Sequence, residues 1–188
     1  MPAQPSASGV RVGTIDDWCA LVRGDAEALI EGVTPDPAPA DVARWRKSWP
    51  AGLVSAAIEL ARARVKAQKK FPTEVASALI ADVPGIEMAS TALASAHVAE
   101  RFKAAGAETV FDLASGIGAD AMALERVMPG AVNAIELDPI RAMMTEKNAK
   151  CHALCADATA TKIPPPPPCI LTPLDETAAG GGCGLSRT

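Results

Sequence analysis

An acidic residue followed by small residues marks the stretch of this sequence that is best suited to chemistry. Residues 110–120 read VFDLASGIGAD, so an apolar strand ends in Asp112, small residues follow, and a helix begins near Asp120. Small residues let a ligand approach the backbone, and the N-terminus of the next helix offers free N–H groups. The loop lacks the third-glycine spacing of dinucleotide sites, and Asp112 would repel a phosphate. The pattern favours a ligand with a cationic amine.

Two further acids follow later predicted strands. Residues 132–137 form an apolar stretch that ends near Glu136, and a carboxylate there can accept both hydroxyls of a ribose. Asp157 lies between two alanines after a third predicted strand. Taken alone, Asp157 is more typical of a helix cap or a turn. Each of the three signals is only moderately specific when it is taken alone.

These residues together resemble the motifs of class I S-adenosylmethionine (SAM)-dependent methyltransferases. Residues 112–120 are similar to motif I in the variant that replaces the first glycine and continues as Gly-Ile-Gly-x-Asp. The resemblance implies that Asp112 organises the loop and the methionine amine, that Glu136 holds the ribose, and that Asp157 receives the adenine amino group. The cofactor-binding residues it predicts are Asp112, Ala114, Ser115, Gly116, Gly118, Asp120, Glu136, Leu137, Asp157 and Ala158.

Segments outside motif I narrow the resemblance to one branch. Residues 85–90 (GIEMAS), together with residues 70–71 and 97–102, resemble bacterial methyltransferases that have a THUMP-like domain and are related to the trimethylguanosine synthase group. Asp138-Pro139 and residues 147–149 are also similar to this family. The resemblance covers residues 44–164. It implies methyl transfer from SAM to a nucleophile, with RNA as the expected acceptor.

Two other functions stay open at this point. A non-catalytic module could bind SAM or a partner through the same residues or through basic helices. A nucleotide-dependent oxidoreductase is disfavoured by Asp112 and by the spacing of the loop. No catalytic residue is assigned. In class I methyltransferases the catalytic motif follows a fourth strand, and the sequence after residue 163 does not predict that strand.

The predicted secondary structure that positions these residues changes near residue 106, from helices alone to alternating strands and helices. Residues 15–33 have helical apolar spacing behind a Thr14 cap, and the prolines after residue 34 end that helix. Further helices are predicted at residues 40–49, 53–69 and from about residue 90, the last with Leu93, Val98 and Phe102 on its apolar side. Residues 71–84 are not assigned. Strands at 109–113, 132–137 and 151–155 then alternate with helices at 120–127 and 139–149, which predicts a parallel sheet.

The predicted fold is therefore α/β: an incomplete Rossmann-like class I methyltransferase fold preceded by an N-terminal helical region. Residues 1–13 are expected to be disordered, 14–105 helical, 106–163 the SAM-binding half, and 164–188 an irregular Pro/Gly-rich tail. Five consecutive prolines cannot contribute donors to a sheet. One hypothesis is a change of reading frame, since a permitted codon choice for residues 168–182, read two bases on, encodes a His-Leu-Asp-Pro-Ala-Arg-Arg stretch typical of this branch. A deliberately short protein is the alternative.

Composition excludes some functions and leaves one surface open. The net charge of −4 gives no overall reason to expect nucleic acid, but eight of the 18 basic residues lie in residues 44–70. This basic stretch is either an ordinary solvated surface or a contact surface for RNA phosphates. No apolar run is long enough to span a membrane, no zinc-like spacing surrounds Cys151, His152 and Cys155, and five unpatterned cysteines indicate free thiols. We therefore expect a cytoplasmic protein without a metal.

Overall fold

The computed structural model describes residues 12–162 of the 188-residue chain. Almost all of the predicted disordered N-terminus and the whole predicted tail, residues 164–188, lie outside this range. The hypothesis of a changed reading frame also concerns residues outside it. Among the described residues the fold is mixed α/β, with many helices and one three-stranded parallel sheet, which is compatible with part of a Rossmann-like fold.

Helices occupy the described chain up to residue 104. They are α1 (Ile15–Arg23), α2 (Glu27–Gly32), α3 (Pro39–Trp45), α4 (Ala51–Ala67), α5 (Thr73–Ala78), α6 (Val83–Met88) and α7 (Ala92–Ala104). Thr14 caps α1 as predicted, in a reciprocal capping box with Asp17. The single helix expected over residues 15–33 is wrong, because Gly24 adopts φ +87° and ends α1.

Two further regions differ from the prediction. They are residues 71–84, for which no structure is predicted, and the apolar side of α7. Residues 71–84 contain α5 and the start of α6, both following local proline or Asp signals. The apolar side predicted for α7 is wrong for Leu93 and Val98, which are 82% and 37% exposed. The buried side instead contains Ser95 and Ala99. Their small side chains let α7 pack closely on the helix that follows the first strand.

The sheet follows in the predicted alternation. Its elements are β1 (Val110–Leu113), α8 (Ala119–Val127), β2 (Val132–Glu136), α9 (Pro139–Ala149) and β3 (His152–Cys155), with strand order β1-β2-β3 and parallel pairing. Asp112 pairs with Ala134, and Glu136 pairs with Cys155. The strands therefore bring their carboxyl ends, with both acids, to one edge of the sheet.

One apolar core joins the N-terminal helices to the first turn after β1. Trp18 and Leu60, both fully buried, belong to the same cluster as Ile117, Ala119 and Met144. A second cluster lies between α7, α8 and the strands, around Val110, Leu124 and Val132. The predicted division at residue 105/106 stays a prediction, but the packing that supports the glycine loop comes from both sides of it.

Candidate functional site

The loop between β1 and α8 follows an unusual backbone path. Ala114, Gly116 and Gly118 all have positive φ, at 60°, 61° and 84°. At Gly118 an added Cβ would lie 3.0 Å from the Cα of Thr145, so both the backbone and the available space require glycine. At Gly116 an added Cβ would meet nothing within 4 Å. The loop thus presents bare backbone to open space at Gly116, which is what a closely approaching ligand needs.

Glu136 connects this loop to the turn after β2. Its side chain is only 8% exposed. Oε2 accepts a hydrogen bond from the Gly116 N–H at 2.8 Å, and Oε1 accepts from the Asp138 N–H at 3.0 Å. A carboxylate has about four acceptor positions, so two positions remain for further donors such as ribose hydroxyls. The predicted ribose contact of Glu136 stays a prediction.

Asp112 lies near the carboxyl end of β1 and has a raised pKa. Burial first, then the charges of Asp120 and Glu136, raise the pKa of its carboxyl to about 6, against the lowering effect of a hydrogen bond from the Ala121 backbone. Its Oδ2 is buried and has no hydrogen-bond partner. A buried acceptor without a donor is costly, and a cationic donor would relieve that cost. Asp112 therefore fits a group such as the ammonium of an amino acid.

Asp120 stands in the first turn of α8, close enough for its charge to act on Asp112. Its Oδ2 accepts a hydrogen bond from the hydroxyl of Ser90 at 3.0 Å. Ser90 precedes α7 and belongs to the GIEMAS segment. The sequence indicated that segment through resemblance, but no local pattern placed Ser90 beside Asp120.

Two side chains of α9, neither of them among the predicted cofactor-binding residues, hold the loop through hydrogen bonds to its backbone. Thr145 is fully buried and donates to the Gly116 carbonyl at 3.0 Å, and the Ser115 hydroxyl lies 3.2 Å from the Thr145 hydroxyl. Asn148 donates to the Ile117 carbonyl at 2.9 Å. Their spacing of three residues on one helix face is the signal that could have indicated them.

The residues predicted to surround the adenine lie beyond Glu136. Leu137 is 52% exposed. Asp157 is exposed, and its Oδ1 accepts from both the hydroxyl and the N–H of Thr159, at 2.7 and 2.8 Å. These bonds, the hydroxyl first, lower the pKa of Asp157. The turn function that its residue type allowed is thus present. Its role at the adenine, like that of half-buried Ala158, stays a prediction.

The basic stretch, residues 44–70, makes many contacts inside the chain. Arg44 pairs with Asp41 at 2.9 Å, and Lys66 pairs with Glu87. Backbone carbonyls accept hydrogen bonds from Arg62, Arg64 and Lys70. Arg46, Lys47 and Lys69 are exposed. An RNA contact through this stretch would depend mainly on these three.

Metal ligands, reactive cysteines and membrane-spanning helices are the other functional features that the described residues allow us to assess. Within residues 12–162 no group of three or more His, Cys, Asp and Glu side chains is placed to hold a metal ion. Burial raises the pKa of the Cys151 thiol to about 11, while His152 is exposed. The described cysteines, Cys19, Cys151 and Cys155, are free. In the same range, no helix combines the length and the apolar character needed to cross a bilayer.

The two acids near the carboxyl ends of β1 and β2 thus flank a backbone loop, and a third acid lies in the first turn of the helix that follows it. Comparisons of the chain with models of protein families, with curated proteins and with solved structures give no match.

Proposed function

We propose that this chain binds SAM and is the cofactor-binding portion of a SAM-dependent methyltransferase. The observation that carries the proposal is the unpartnered, buried Oδ2 of Asp112 beside a loop whose Gly116 faces open space. A ligand that satisfies both features has a cationic amine and a slender body that passes the backbone. The methionine part of SAM has that chemistry.

Each acid has a distinct task in the proposal. Asp112, with Asp120 near it, attracts the ammonium group by charge. Glu136 uses its two remaining acceptor positions for the ribose hydroxyls, while its other two keep Gly116 and Asp138 in place. Leu137, Asp157 and Ala158 then surround the adenine.

SAM supplies a methyl group on a sulfonium, which is already a good leaving group. The residues of this chain would bind and orient it, and positioning supplies much of the rate in such reactions. RNA is the proposed acceptor, supported by the exposed cations Arg46, Lys47 and Lys69 of the basic stretch. A SAM-binding module without catalysis would use the same site and differ in turnover.

A dinucleotide is the main competing ligand for a strand–loop–helix site. Its pyrophosphate would face the N-terminus of α8, where Asp112 and Asp120 place negative charge. That charge opposes a phosphate and favours an amine. The same two acids should therefore favour binding of SAM over binding of a dinucleotide.

Calorimetry on the full 188-residue chain tests the proposal. We expect SAM and S-adenosylhomocysteine to bind, and NAD to bind at least about tenfold more weakly, as one unfavourable charge contact predicts. An Asp112→Asn variant should lose affinity for both SAM ligands. Preferential binding of NAD, or no binding of SAM, would refute the proposal. Transfer of a labelled methyl group to RNA by the same chain would separate the enzyme from the non-catalytic module.

A further inference from the structure

The segment from Ile80 to Ser90 is bound to the glycine loop although it precedes the loop by a whole helix. Asn148 accepts from the Ile80 N–H at 3.0 Å, donates to the Ile80 carbonyl at 2.9 Å, and also donates to the Ile117 carbonyl. One amide thus joins the start of the segment to the loop. The contact spans 68 residues of sequence.

A buried ion pair and a close packing contact fix the middle of the segment. Asp82 and Arg141 pair at 3.2 Å with side chains only 3% and 8% exposed. The same Asp82 caps α6 by accepting from the Gly85 N–H at 2.9 Å. A Cβ at Gly85 would lie 2.5 Å from Cγ2 of Ile117, so only glycine allows α6 to approach the loop this closely.

The end of the segment is held on both sides of Ser90. Lys70 donates from Nζ to the Ala89 carbonyl at 2.7 Å, and the Lys70 carbonyl accepts from the Ala92 N–H at 2.9 Å. Ser90 lies between these two anchors. Its hydroxyl donates to Asp120 at 3.0 Å, in a partly buried place. The backbone therefore holds this hydroxyl in position before any ligand arrives.

We propose that Ser90 is a positioning residue of the cofactor site, which fixes the Asp120 carboxylate so that Asp120 and Asp112 together present negative charge to the amine of the ligand. The inference rests on the proposed function, because it assigns Ser90 to the amino-acid end of SAM. A carboxylate that is held by a donor keeps one orientation, and preorganised charge binds a cation more tightly than mobile charge. Ser90 acts through Asp120 and needs no contact with the ligand.

Two ligands distinguish this role from general support of the fold. S-adenosylhomocysteine contains the amino-acid group, whereas 5′-methylthioadenosine has the same nucleoside and sulfur without it. Ser90→Ala in the full chain should weaken S-adenosylhomocysteine binding about three- to tenfold, the effect of one hydrogen bond, and leave 5′-methylthioadenosine within about twofold. Ser90→Thr should restore the affinity, because it restores the hydroxyl.

Two more variants complete the test. Asp120→Asn removes the charge and should give the same selective loss, even if Ser90→Ala folds poorly. Ser77→Ala removes a hydroxyl that donates to the Glu74 carbonyl on α5, and should change neither affinity. An equal loss for both ligands, or no loss, would overturn the inference while SAM binding by the wild-type chain still stands. Failure of the wild-type chain to bind either ligand would overturn the proposed function and this inference with it.

Discussion

The N–H of Gly116 donates to Oε2 of Glu136 at 2.8 Å, so the acid that ends β2 fixes the conformation of the loop that follows β1. Because the other oxygen of Glu136 holds the Asp138 N–H, one buried side chain sets both turns. Any ligand that reaches Glu136 meets a carboxylate whose orientation is already determined. Loss of Glu136 should therefore affect the loop and the ligand together.

Replacing Glu136 with alanine tests its ribose contact. We expect SAM affinity to fall by about 1.5–3 kcal/mol, the usual contribution of a hydrogen bond to a charged group. Part of that loss would come from the loosened loop, so calorimetry should compare S-adenosylhomocysteine with its 2′-deoxy analogue. The missing hydroxyl should matter in the wild-type chain and not in Glu136→Ala. If the hydroxyl matters equally in both proteins, Glu136 does not hold the ribose.

Replacing Gly116 with valine tests the open space beside the loop. The new side chain would enter the proposed path of the ligand, and we expect SAM binding to be lost with helical circular dichroism nearly unchanged. Gly130→Val is the matched control, because Gly130 has φ +79° and also has nothing within 4 Å of an added Cβ. Both variants strain the backbone by about 1–2 kcal/mol. Equal SAM affinity in the two variants would contradict this location of the site.

Replacing Asp112 with asparagine tests how much its buried charge lowers the free energy of unfolding. The pKa of about 6 lies above the ordinary 3.8, so between these pH values the folded chain binds more protons than the unfolded chain. The free energy of unfolding should therefore fall as pH rises from about 4 to about 6. Asp112→Asn should remove roughly 2 kcal/mol of this fall, and so be more stable than wild type at pH 7 while binding SAM less well.

Urea denaturation at pH 4.5 and pH 7 measures that difference. Asp157→Asn is the control, because the pKa of Asp157 is lowered below its ordinary 3.8, so its contribution changes only below about pH 4 and the variant should leave the difference between pH 4.5 and pH 7 nearly unchanged. An Asp112→Asn chain that is less stable than wild type at pH 7 would show that the carboxylate stabilises the fold.

Charge reversal at Lys47 tests the basic stretch as an RNA contact. We expect Lys47→Glu to weaken binding of single-stranded RNA and to reduce the dependence of binding on salt by about one to two ions. Lys103→Glu makes the same charge change on exposed α7, away from this stretch. Filter binding at two salt concentrations should separate the variants. Equal weakening by both would mean that RNA responds only to net charge.

Local signals explain which parts of the fold could be predicted from sequence. Helix α9 has the predicted bounds, because Asp138 caps it and Pro139 occupies its first position. Strands β1 to β3 agree to within one residue, since each is a short apolar run between turn residues. By contrast, the apolar residues of α1 and α2 continue with one helical spacing. The sequence pattern therefore did not show that the left-handed backbone at Gly24 ends α1.

The residues of the candidate site also fall into two groups: those that local sequence patterns predicted and those that they did not. Residue types around Asp112, Gly116 and Glu136 indicated the loop and its acids, because their spacing within each strand–loop unit is local. Ser90 and Asn148 reach the loop through tertiary packing, over separations that no periodic pattern encodes. The exposure of Leu93 was missed for a related reason: α7 buries its small side chains, and apolar spacing alone could not show which side that was.

The shared core of Trp18, Leu60, Ile117 and Met144 has a consequence for how the chain melts. Opening the glycine loop exposes side chains that also hold the N-terminal helices together, so the two parts should unfold in one cooperative transition. A ligand at the loop would then raise the melting temperature of the whole transition, including the transition followed by the fluorescence of the tryptophans in and against this core. Cleavage near residue 105 should release two fragments that do not fold separately. Two separate transitions in a calorimetric scan would instead show that the loop belongs to an independent folding unit.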